Sequence, residues 1–422
     1  MKKILTLLFC AVVLNMHADD KYVGGDISLL PSYVSHGAHY YDTNGNAISS
    51  PLAYFGEQGM NAMRVRLFVN PANASATHQG EGVCQDLDYV KTLGKQIKNA
   101  GMALMLDFHY SDTWADPAKQ WTPKEWLSLS DNDLYEKIYN YTKEVLEEMK
   151  AAGATPDFIQ TGNEISYGML WGAENTSSPK KCYVNNESNW PRFTTLLKKA
   201  ASACREVCPQ ARIIIHTERV AQGNVLKQFY NKMKSYGVDY DIIGLSYYPY
   251  YHGTLQTLNS VLTDMESSFP EKKIMIVETG YFHHWQPSNV SYDLSGTYPI
   301  SAEGQKAFAE ALINILNDHA HVCGLFWWMM EANENGLDWY TQRVTEGWYN
   351  AGLFDNETGK AMPAITILKN FLKEGAGIHN IPSDIHRPTT LYTIDGRSIG
   401  HQSINDMPSG IYILNGKKII IN

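Results

Sequence analysis

Eight short apolar segments, separated by stretches with helical periodicity, constrain the fold of this sequence more than any other feature. They lie near Asp26, Arg66, Asp107, Gly162, His216, Leu245, Val277 and Phe326. Nearly continuous apolar strands with helical connections are typical of a parallel sheet that is covered by helices. Eight such units predict an α/β fold of the (β/α)8 TIM-barrel class.

The connections between these segments support the barrel. In residues 87–101 one helical face carries Val90, Leu93, Ile97 and Ala100, and Gly101 follows where a helix-ending glycine is expected. A doubly wound open sheet is the alternative fold. No glycine-rich phosphate turn follows the first segment, and this disfavours the alternative.

The two ends of the chain differ from the middle. Residues 1–18 contain two lysines, an apolar run and Ala18, as a secretory signal peptide does, so we expect export to the periplasm, cell surface or medium. Residues 19–380 are predicted to form the barrel domain. Residues 387–422 alternate short β-like runs with turns such as Asn415-Gly416, which predicts a small β-rich tail.

Charge and cysteine content limit the possible partners. The net charge of −9 argues against nucleic acid and polyanionic ligands and favours a neutral substrate. No apolar stretch is long enough for a membrane span. Beyond Cys10, five cysteines remain, an odd number without zinc-site spacing, so at least one is expected to be unpaired.

Two glutamates stand where the reactive groups of such a barrel are expected. Glu164 follows the fourth apolar segment and Glu278 ends the seventh, and active sites of TIM barrels lie at the C-terminal ends of the strands. A pair of carboxyl groups there suits cleavage of a glycosidic bond, in which one protonates the leaving oxygen and the other attacks the anomeric carbon. Either glutamate alone could instead belong to a structural ion pair.

Longer motifs make the interpretation more specific. The segments "NAMRVRLFVNP", "MLDFHYSDTWADP", "TGNEISYGMLW", "GLSYYPYYHGTL" and "IVETGY" resemble family 53 glycoside hydrolases, the arabinogalactan endo-β-1,4-galactanases of the clan of retaining (β/α)8 glycosidases. The resemblance extends from about Gly25 to about Phe371. It implies retaining hydrolysis of β-1,4-galactan in the side chains of pectin, with Glu164 as acid/base and Glu278 as nucleophile.

The resemblance also suggests substrate-binding residues. Asn163 would bind the sugar 2-hydroxyl, Trp328 would form the floor beside the scissile bond, and Tyr248, or else Tyr247, would donate to Glu278. The full predicted set is Asn163, Arg64, Arg66, Asp107, His109, Trp114, Asp116, His216, Ser246, Tyr248 and Trp328. For Asp107, His109 and His216, contact with sugar hydroxyls and support of the pocket wall are both open. Trp114 and Trp171 are candidate stacking platforms further along the cleft, and the alternative for each is packing in the core.

The chain departs from the family pattern at two places near the cleft. Met329-Met330 replace a usual Glu-Pro, and Ser166-Tyr167 replace a usual Asn-Asn, so subsite preference is open. No metal site and no cofactor are expected, although calcium between the loops after strands seven and eight, as in some members, stays possible. The alternative functions are a clan β-glycanase acting on mannan, xylan or β-glucan, and a non-catalytic glycan-binding barrel.

Overall fold

The computed structural model of the chain describes residues 21–338, 344 and 348–373, and beyond them five short strands. The expected signal peptide, residues 1–18, lies outside the described residues. Its cleavage and the export of the chain therefore stay predictions.

Eight parallel strands form a closed barrel in the order β1 to β8, and β8 pairs with β1. Each strand coincides with one apolar segment of the sequence, so the predicted (β/α)8 fold is confirmed. The strands are β1 (Tyr22–Asp26), β2 (Ala62–Leu67), β3 (Ala103–Phe108), β4 (Phe158–Thr161), β5 (Arg212–Thr217), β6 (Ile242–Tyr247), β7 (Lys273–Thr279) and β8 (Val322–Trp327).

Helices occupy the connections between the strands. They are α1 (Leu30–His36), α2 (Pro51–Glu57), α3 (Ala76–Gly80), α4 (Leu87–Asn99), α5 (Asp131–Ala151), α6 (Trp190–Val207), α7 (Gly223–Ser235), α8 (Pro249–His252), α9 (Leu255–Ser268) and α10 (Ala302–Asn317). In α4 the predicted face is buried except at Ala100, which lies past the helix end and is exposed. No helix in the described ranges is long and apolar enough to cross a bilayer.

The C-terminal strands form a second sheet. They are β9 (Ile378–His379), β10 (Leu391–Thr393), β11 (Ser398–Gly400), β12 (Gly410–Leu414) and β13 (Lys417–Ile421), in the order β11-β10-β12-β13-β9. Four of them fall within the predicted β-rich tail. The division of the chain into domains stays a prediction.

The interior of the barrel consists of an apolar layer beneath a polar one. Because side chains of a strand alternate between its faces, residues two apart point the same way. The apolar layer includes Ala62, Met105, Phe158, Ile214, Ile242, Met275 and Phe326. The polar layer, nearer the C-terminal strand ends and fully buried, includes Asp26, Arg64, Arg66, Asp107, Gln160, His216 and Ser246.

A bulge interrupts this alternation in β7. Leu245 pairs with Ile276, but the next residue, Ser246, pairs with Glu278, so Val277 has no partner of its own on β6. Val277 packs in the apolar interior. A bulge re-aims the residue that follows it, and Glu278 accordingly faces the inside of the barrel instead of the surrounding helices.

The five described cysteines are all unpaired. Four are buried and Cys84 is exposed; the buried ones are Cys182, Cys204, Cys208 and Cys323. The expectation of at least one unpaired cysteine is thus confirmed for this part of the chain.

Candidate active site

A cavity of about 520 Å³ opens at the C-terminal end of the barrel. Asn163 and Glu164, just after β4, border it, as do Tyr248 after β6, Glu278 in β7 and Trp328 after β8. The strand ends thus bring both glutamates, which lie more than a hundred residues apart in sequence, to one concave surface.

Glu278 is surrounded by groups that favour its charged form. The Nη2 atom of Arg64 lies 2.9 Å from Oε1, and the Tyr248 hydroxyl donates to Oε2 at 2.9 Å. Burial raises the pKa of Glu278 to about 7, while the Arg64 guanidinium and the Tyr248 hydrogen bond oppose that rise. The structure therefore favours Glu278 as the ionised member of the pair.

Glu164 has a different environment. It receives one hydrogen bond, from the Ser246 hydroxyl to Oε1 at 2.6 Å. Burial, followed by the negative charges of Glu278 and Glu218, raises the pKa of Glu164 well above its ordinary value. Of the two carboxyl groups, Glu164 is therefore the one whose surroundings favour the protonated form more strongly.

Ser246 also limits the separation of the two carboxyl groups. Its Oγ lies 2.6 Å from Oε1 of Glu164 and 3.4 Å from Oε2 of Glu278. Those two carboxyl oxygens are therefore at most 6.0 Å apart, the sum of the two contacts.

The backbone at Glu164 is left-handed, with φ of 48°, a conformation that costs free energy for a residue other than glycine. Two contacts hold it. The Ile165 amide donates to the His216 carbonyl at 3.0 Å, and the buried Gln120 side chain donates to the Asn163 carbonyl at 2.7 Å. The chain therefore leaves β4 in a turn that presents successive side chains to the cavity.

His216 links the polar layer to the acid. Its Nε2 lies 2.8 Å from the Ser246 hydroxyl. Its Nδ1 faces two donors, the Gln160 amide at 2.9 Å and the Glu164 backbone amide at 3.4 Å, and one acceptor, Oδ1 of Asn163 at 3.1 Å, which already accepts from Arg64. Because donors outnumber acceptors at Nδ1, we assign the proton to Nε2. Burial and the nearby Arg64 charge lower the pKa of His216 well below its ordinary value, so the ring is neutral.

Arg64 is the centre of a buried charge network. Besides Glu278, it contacts Asp26 at 3.1 Å and Asp107 at 2.7 Å, and it donates to Oδ1 of Asn163 at 2.8 Å. Burial acts to raise the pKa of Asp107, but the Arg64 charge and His109 more than offset it, and the net shift is downward. The network fixes Asn163 and Glu278 relative to the barrel wall.

The predicted substrate-binding residues fall into two groups. Those that border the cavity are Asn163, Trp114, Asp116, Tyr248 and Trp328. Those that are at most 1% exposed and lie behind its wall are Arg64, Arg66, Asp107, His109, His216 and Ser246. For Asp107, His109 and His216, the positions favour support of the pocket over direct contact with sugar.

Two open choices among the aromatic residues are resolved. The Tyr247 hydroxyl donates to the Gly253 carbonyl at 2.9 Å, so Tyr248 is the partner of Glu278. The prediction of Trp171 as a stacking platform is wrong. Its ring is 1% exposed and packs edge-on against Trp121, because the segment after β4 folds back onto the barrel.

Trp114 and Trp328 form an aromatic floor in the cavity. Their ring centroids are 6.2 Å apart at an angle of 59°. The buried guanidinium of Arg66 lies 4.5 Å from the ring of Trp114 and 5.5 Å from that of Trp328, within the range of cation–π attraction. Flat ring faces of this kind match the apolar faces of a sugar.

Gln160 and Glu218 are among the residues of the site that sequence reasoning missed. The Gln160 amide donates to Asp107 at 2.6 Å and lies beside His216. It sits two residues after Phe158 on the inward face of β4, so strand alternation could have identified it. Glu218 borders the cavity just past the end of β5, where alternation gives no signal.

The described residues contain no group of three or more His, Cys, Asp or Glu arranged to hold a metal ion. In the loop after β7, Asp293 accepts a hydrogen bond from the Ser295 amide at 2.9 Å. Whether the chain binds calcium stays open.

Comparisons with known proteins agree with the geometry. The family model described as Glycosyl hydrolase family 53 matches residues 22–368. The arabinogalactan endo-beta-1,4-galactanase of Cellvibrio japonicus is 32% identical, over 87% of this chain and 97% of its own length. That of Thermothelomyces thermophilus is 34% identical, over 73% of this chain and 88% of its own. The solved catalytic domain of a GH53 protein from Ignisphaera aggregans superposes with a TM-score of 0.72 at 31% identity, covering 84% and 97% of the two chains.

Proposed function

Because the chain belongs to glycosyl hydrolase family 53, we propose that it hydrolyses the β-1,4-galactosidic bonds of galactan. The observation that carries this proposal is the pair Glu164 and Glu278, which share the Ser246 hydroxyl at the rim of one cavity. The names of its relatives, arabinogalactan endo-beta-1,4-galactanases, supply the substrate.

The proposed reaction is a double displacement. In the first step Glu278 attacks the anomeric carbon, the glycosidic C–O bond breaks, and Glu164 gives its proton to the leaving oxygen. In the second step Glu164 takes a proton from water, whose oxygen attacks the same carbon and releases Glu278. The limit of 6.0 Å between the two oxygens supports this route, since the carboxyl groups of inverting enzymes are about 6.5–9.5 Å apart.

The surroundings of each glutamate support its role. Arg64 and Tyr248 stabilise the negative charge that Glu278 needs for attack and regains when it leaves. The raised pKa of Glu164 keeps a proton available for the leaving group. In this scheme Asn163 and Trp328 contact the sugar at the reacting carbon, as the resemblance implies.

The place of action belongs to the same proposal. The N-terminal signal-like segment supports export, and the neutral galactan side chains of pectin fit a chain with net charge −9. A non-catalytic glycan-binding role finds no support in the site, where both glutamates are present.

The decisive experiment is release of reducing sugar from galactan by the wild type and by Glu278→Ala. We expect the variant to lose at least about a thousandfold in kcat. Glu303→Ala, at an exposed position of α10, is the control and should keep wild-type activity. Mannan, xylan and β-glucan are tested in parallel. Faster turnover of any of these than of galactan would overturn the assigned substrate.

Azide rescue then assigns the two roles. With an aryl β-galactobioside, azide should restore turnover of Glu278→Ala and give the α-glycosyl azide, because azide replaces the missing nucleophile. It should give the β-glycosyl azide with Glu164→Ala, because it attacks the glycosyl-enzyme. The reverse pattern would exchange the roles of the two glutamates.

A further inference from the structure

The two catalytic strands divide the ring of strands into two sides. Since the order is β1 to β8, β5 and β6 lie between β4 and β7 on one side, and β8, β1, β2 and β3 lie on the other. Trp114 and Trp328 follow β3 and β8 and are on the larger side. In the proposed function the sugar with the reacting carbon rests on Trp328, so the leaving group extends toward β5 and β6.

The wall on that side contains a carboxyl group that takes no direct part in the proposed reaction. Glu218 borders the cavity and its side chain is 10% exposed. Its Oε1 accepts from the Ser166 hydroxyl at 2.6 Å and lies 2.9 Å from Nε of Arg219. Its Oε2 has no hydrogen-bond donor among the residues described by the structure. A carboxyl oxygen enclosed without a donor is costly, and the exposed tenth of this side chain borders the cavity, where a bound molecule could reach it.

The position of Glu218 is fixed in part by residues at which this chain departs from the family pattern. Arg219 also donates to the Ser166 hydroxyl at 3.0 Å, and its guanidinium lies 4.1 Å from the ring of Tyr167. Ser166 and Tyr167 replace the Asn-Asn of the family pattern. The departure thus builds a clamp, made of Ser166, Tyr167 and Arg219, that holds Glu218 at the cavity.

An aromatic residue accompanies Glu218 on the same side. Tyr251, in α8 after β6, borders the cavity and is 37% exposed. A carboxylate acceptor beside an exposed ring is the combination that recognises a sugar, since the ring covers an apolar face while the carboxylate binds a hydroxyl.

We propose that Glu218 is a specificity-determining residue, which accepts a hydrogen bond from a hydroxyl of the sugar on the leaving-group side while Tyr251 packs against that sugar. This inference rests on the proposed function. It adds a subsite for a neutral galactosyl unit on the reducing-end side of the scissile bond, organised by the Ser166–Tyr167–Arg219 clamp.

The subsite can be measured through transfer of the glycosyl group to an added sugar. With 4-nitrophenyl β-1,4-galactobioside as donor, the C–O bond between the galactobiosyl group and Glu278 breaks when either water or an acceptor hydroxyl attacks. In both cases the attacking oxygen forms the new bond and its proton goes to Glu164. The ratio of transfer to hydrolysis therefore reports acceptor binding and cancels changes in acid/base catalysis.

We expect Glu218→Ala to lower the transfer ratio with galactose as acceptor by about tenfold, the effect of one hydrogen bond to a charged group. Deoxygalactose acceptors, each lacking one hydroxyl, identify the hydroxyl that Glu218 binds. The acceptor that lacks it should give wild type a similarly lowered transfer ratio, and Glu218→Ala should not lower the ratio with that acceptor any further. Glu81→Gln, a change at a cavity carboxylate that follows α3 between β2 and β3 on the opposite side, is the matched control and should leave the ratio unchanged. Glu218→Gln provides a second variant of nearly the same shape.

Failure of this inference is distinguishable from failure of the proposed function. If wild type and Glu218→Ala both hydrolyse the aryl donor but give the same ratio with every acceptor, the subsite assignment is overturned and the proposed function stands. If wild type releases no nitrophenol from this donor and no sugar from galactan, the proposed function itself fails. Normal hydrolysis by each variant also verifies that it is folded.

Discussion

Arg64 faces three carboxylates at once, and this single residue sets much of the chemistry of the site. Its guanidinium contacts Asp26, Asp107 and Glu278 with no exposure to solvent. Breaking such a buried pair by removing one partner costs more free energy than the pair contributes. The nucleophile Glu278 therefore belongs to a buried charge network in which removal of any one residue would destabilise the others.

The Tyr248 hydroxyl is expected to lower the pKa of the nucleophile, Glu278. Tyr248→Phe removes a hydrogen bond that lowers the pKa of Glu278, so the acidic limb of the kcat/KM profile should move to higher pH. Loss of a bond to a charged group should also lower kcat/KM by about tenfold to a hundredfold. The measurement is the pH dependence of kcat/KM on galactan.

Tyr247→Phe is the matched control for this prediction. It removes the same atom from the neighbouring residue, whose hydroxyl donates to a backbone carbonyl. Its acidic limb should stay in place. An equal shift in both variants would mean that Tyr248 does not act through Glu278.

The Ser246 hydroxyl is expected to lower the pKa of the acid/base, Glu164. Its hydrogen bond lowers the pKa of Glu164 because it stabilises the charged form. With Ser246→Ala the pKa of Glu164 rises, so the group keeps its proton to higher pH and the basic limb should move upward. The same kcat/KM titration tests this, and a basic limb that stays in place or moves downward would contradict it.

At the level of elements, the end of β4 carries the strain of the site. Gly162 has φ of +113°, and a Cβ there would lie 2.7 Å from Cγ2 of Ile165. Gly162→Ala should therefore destabilise the protein by about 1–3 kcal/mol and lower kcat, because Glu164 lies two residues on. Urea unfolding and kcat per folded molecule are the measurements.

Gly101→Ala is the control for Gly162→Ala, because it adds backbone strain at a position away from the active site. Gly101 ends α4 with φ of +76°, and a Cβ would meet nothing within 4 Å. We expect a loss of about 1 kcal/mol in the free energy of unfolding and no change in kcat. If Gly162→Ala also left kcat unchanged, the turn after β4 would not be what positions the acid.

Strand alternation explains which elements could be predicted from the sequence and which could not. Ala62, Arg64 and Arg66 lie two residues apart on β2, and alternation alone places them on one face of the strand. The structure has both arginines fully buried, with Arg64 against Glu278. Glu278 itself is placed by a bulge, and Glu164 by a left-handed turn. Both depend on contacts with other strands, which periodicity in one segment does not encode.

On the scale of the whole molecule, the buried acid Glu331 links stability to pH. Its Oε1 accepts from the Leu29 amide at 2.8 Å, and Oε2 has no donor within the described part of the chain. Burial, followed by the charge of Asp26, raises the pKa of Glu331 to about 8. Since the folded state then binds a proton that the unfolded state releases above about pH 4.5, this group makes stability fall between about pH 5 and pH 8.

Glu331→Gln should remove that contribution. We expect the free energy of unfolding of the variant to decline less steeply over this window, by at most about 1.4 kcal/mol per pH unit, the value for one proton. Denaturant unfolding at pH 5, 6.5 and 8 measures it. Parallel curves for wild type and variant would show that Glu331 titrates normally in the folded protein.

The overall architecture was more predictable than the fine geometry of the site. Eight apolar segments specify eight barrel strands, because each must be buried on both faces. The burial of Trp171, in contrast, depends on how the segment after β4 folds back, and its aromatic character alone suggested the wrong role. Glu218 was missed for the same reason, since its partners Ser166 and Arg219 come from two different loops.

The bulge in β7 has a consequence for redesign. A flawless strand at this point would turn Glu278 toward the helical shell and leave the rest of the barrel intact. A design procedure that favours ideal strand geometry would therefore tend to produce a more stable protein without catalytic activity. Engineers who stabilise this scaffold should therefore leave the irregular backbone at Val277 unchanged.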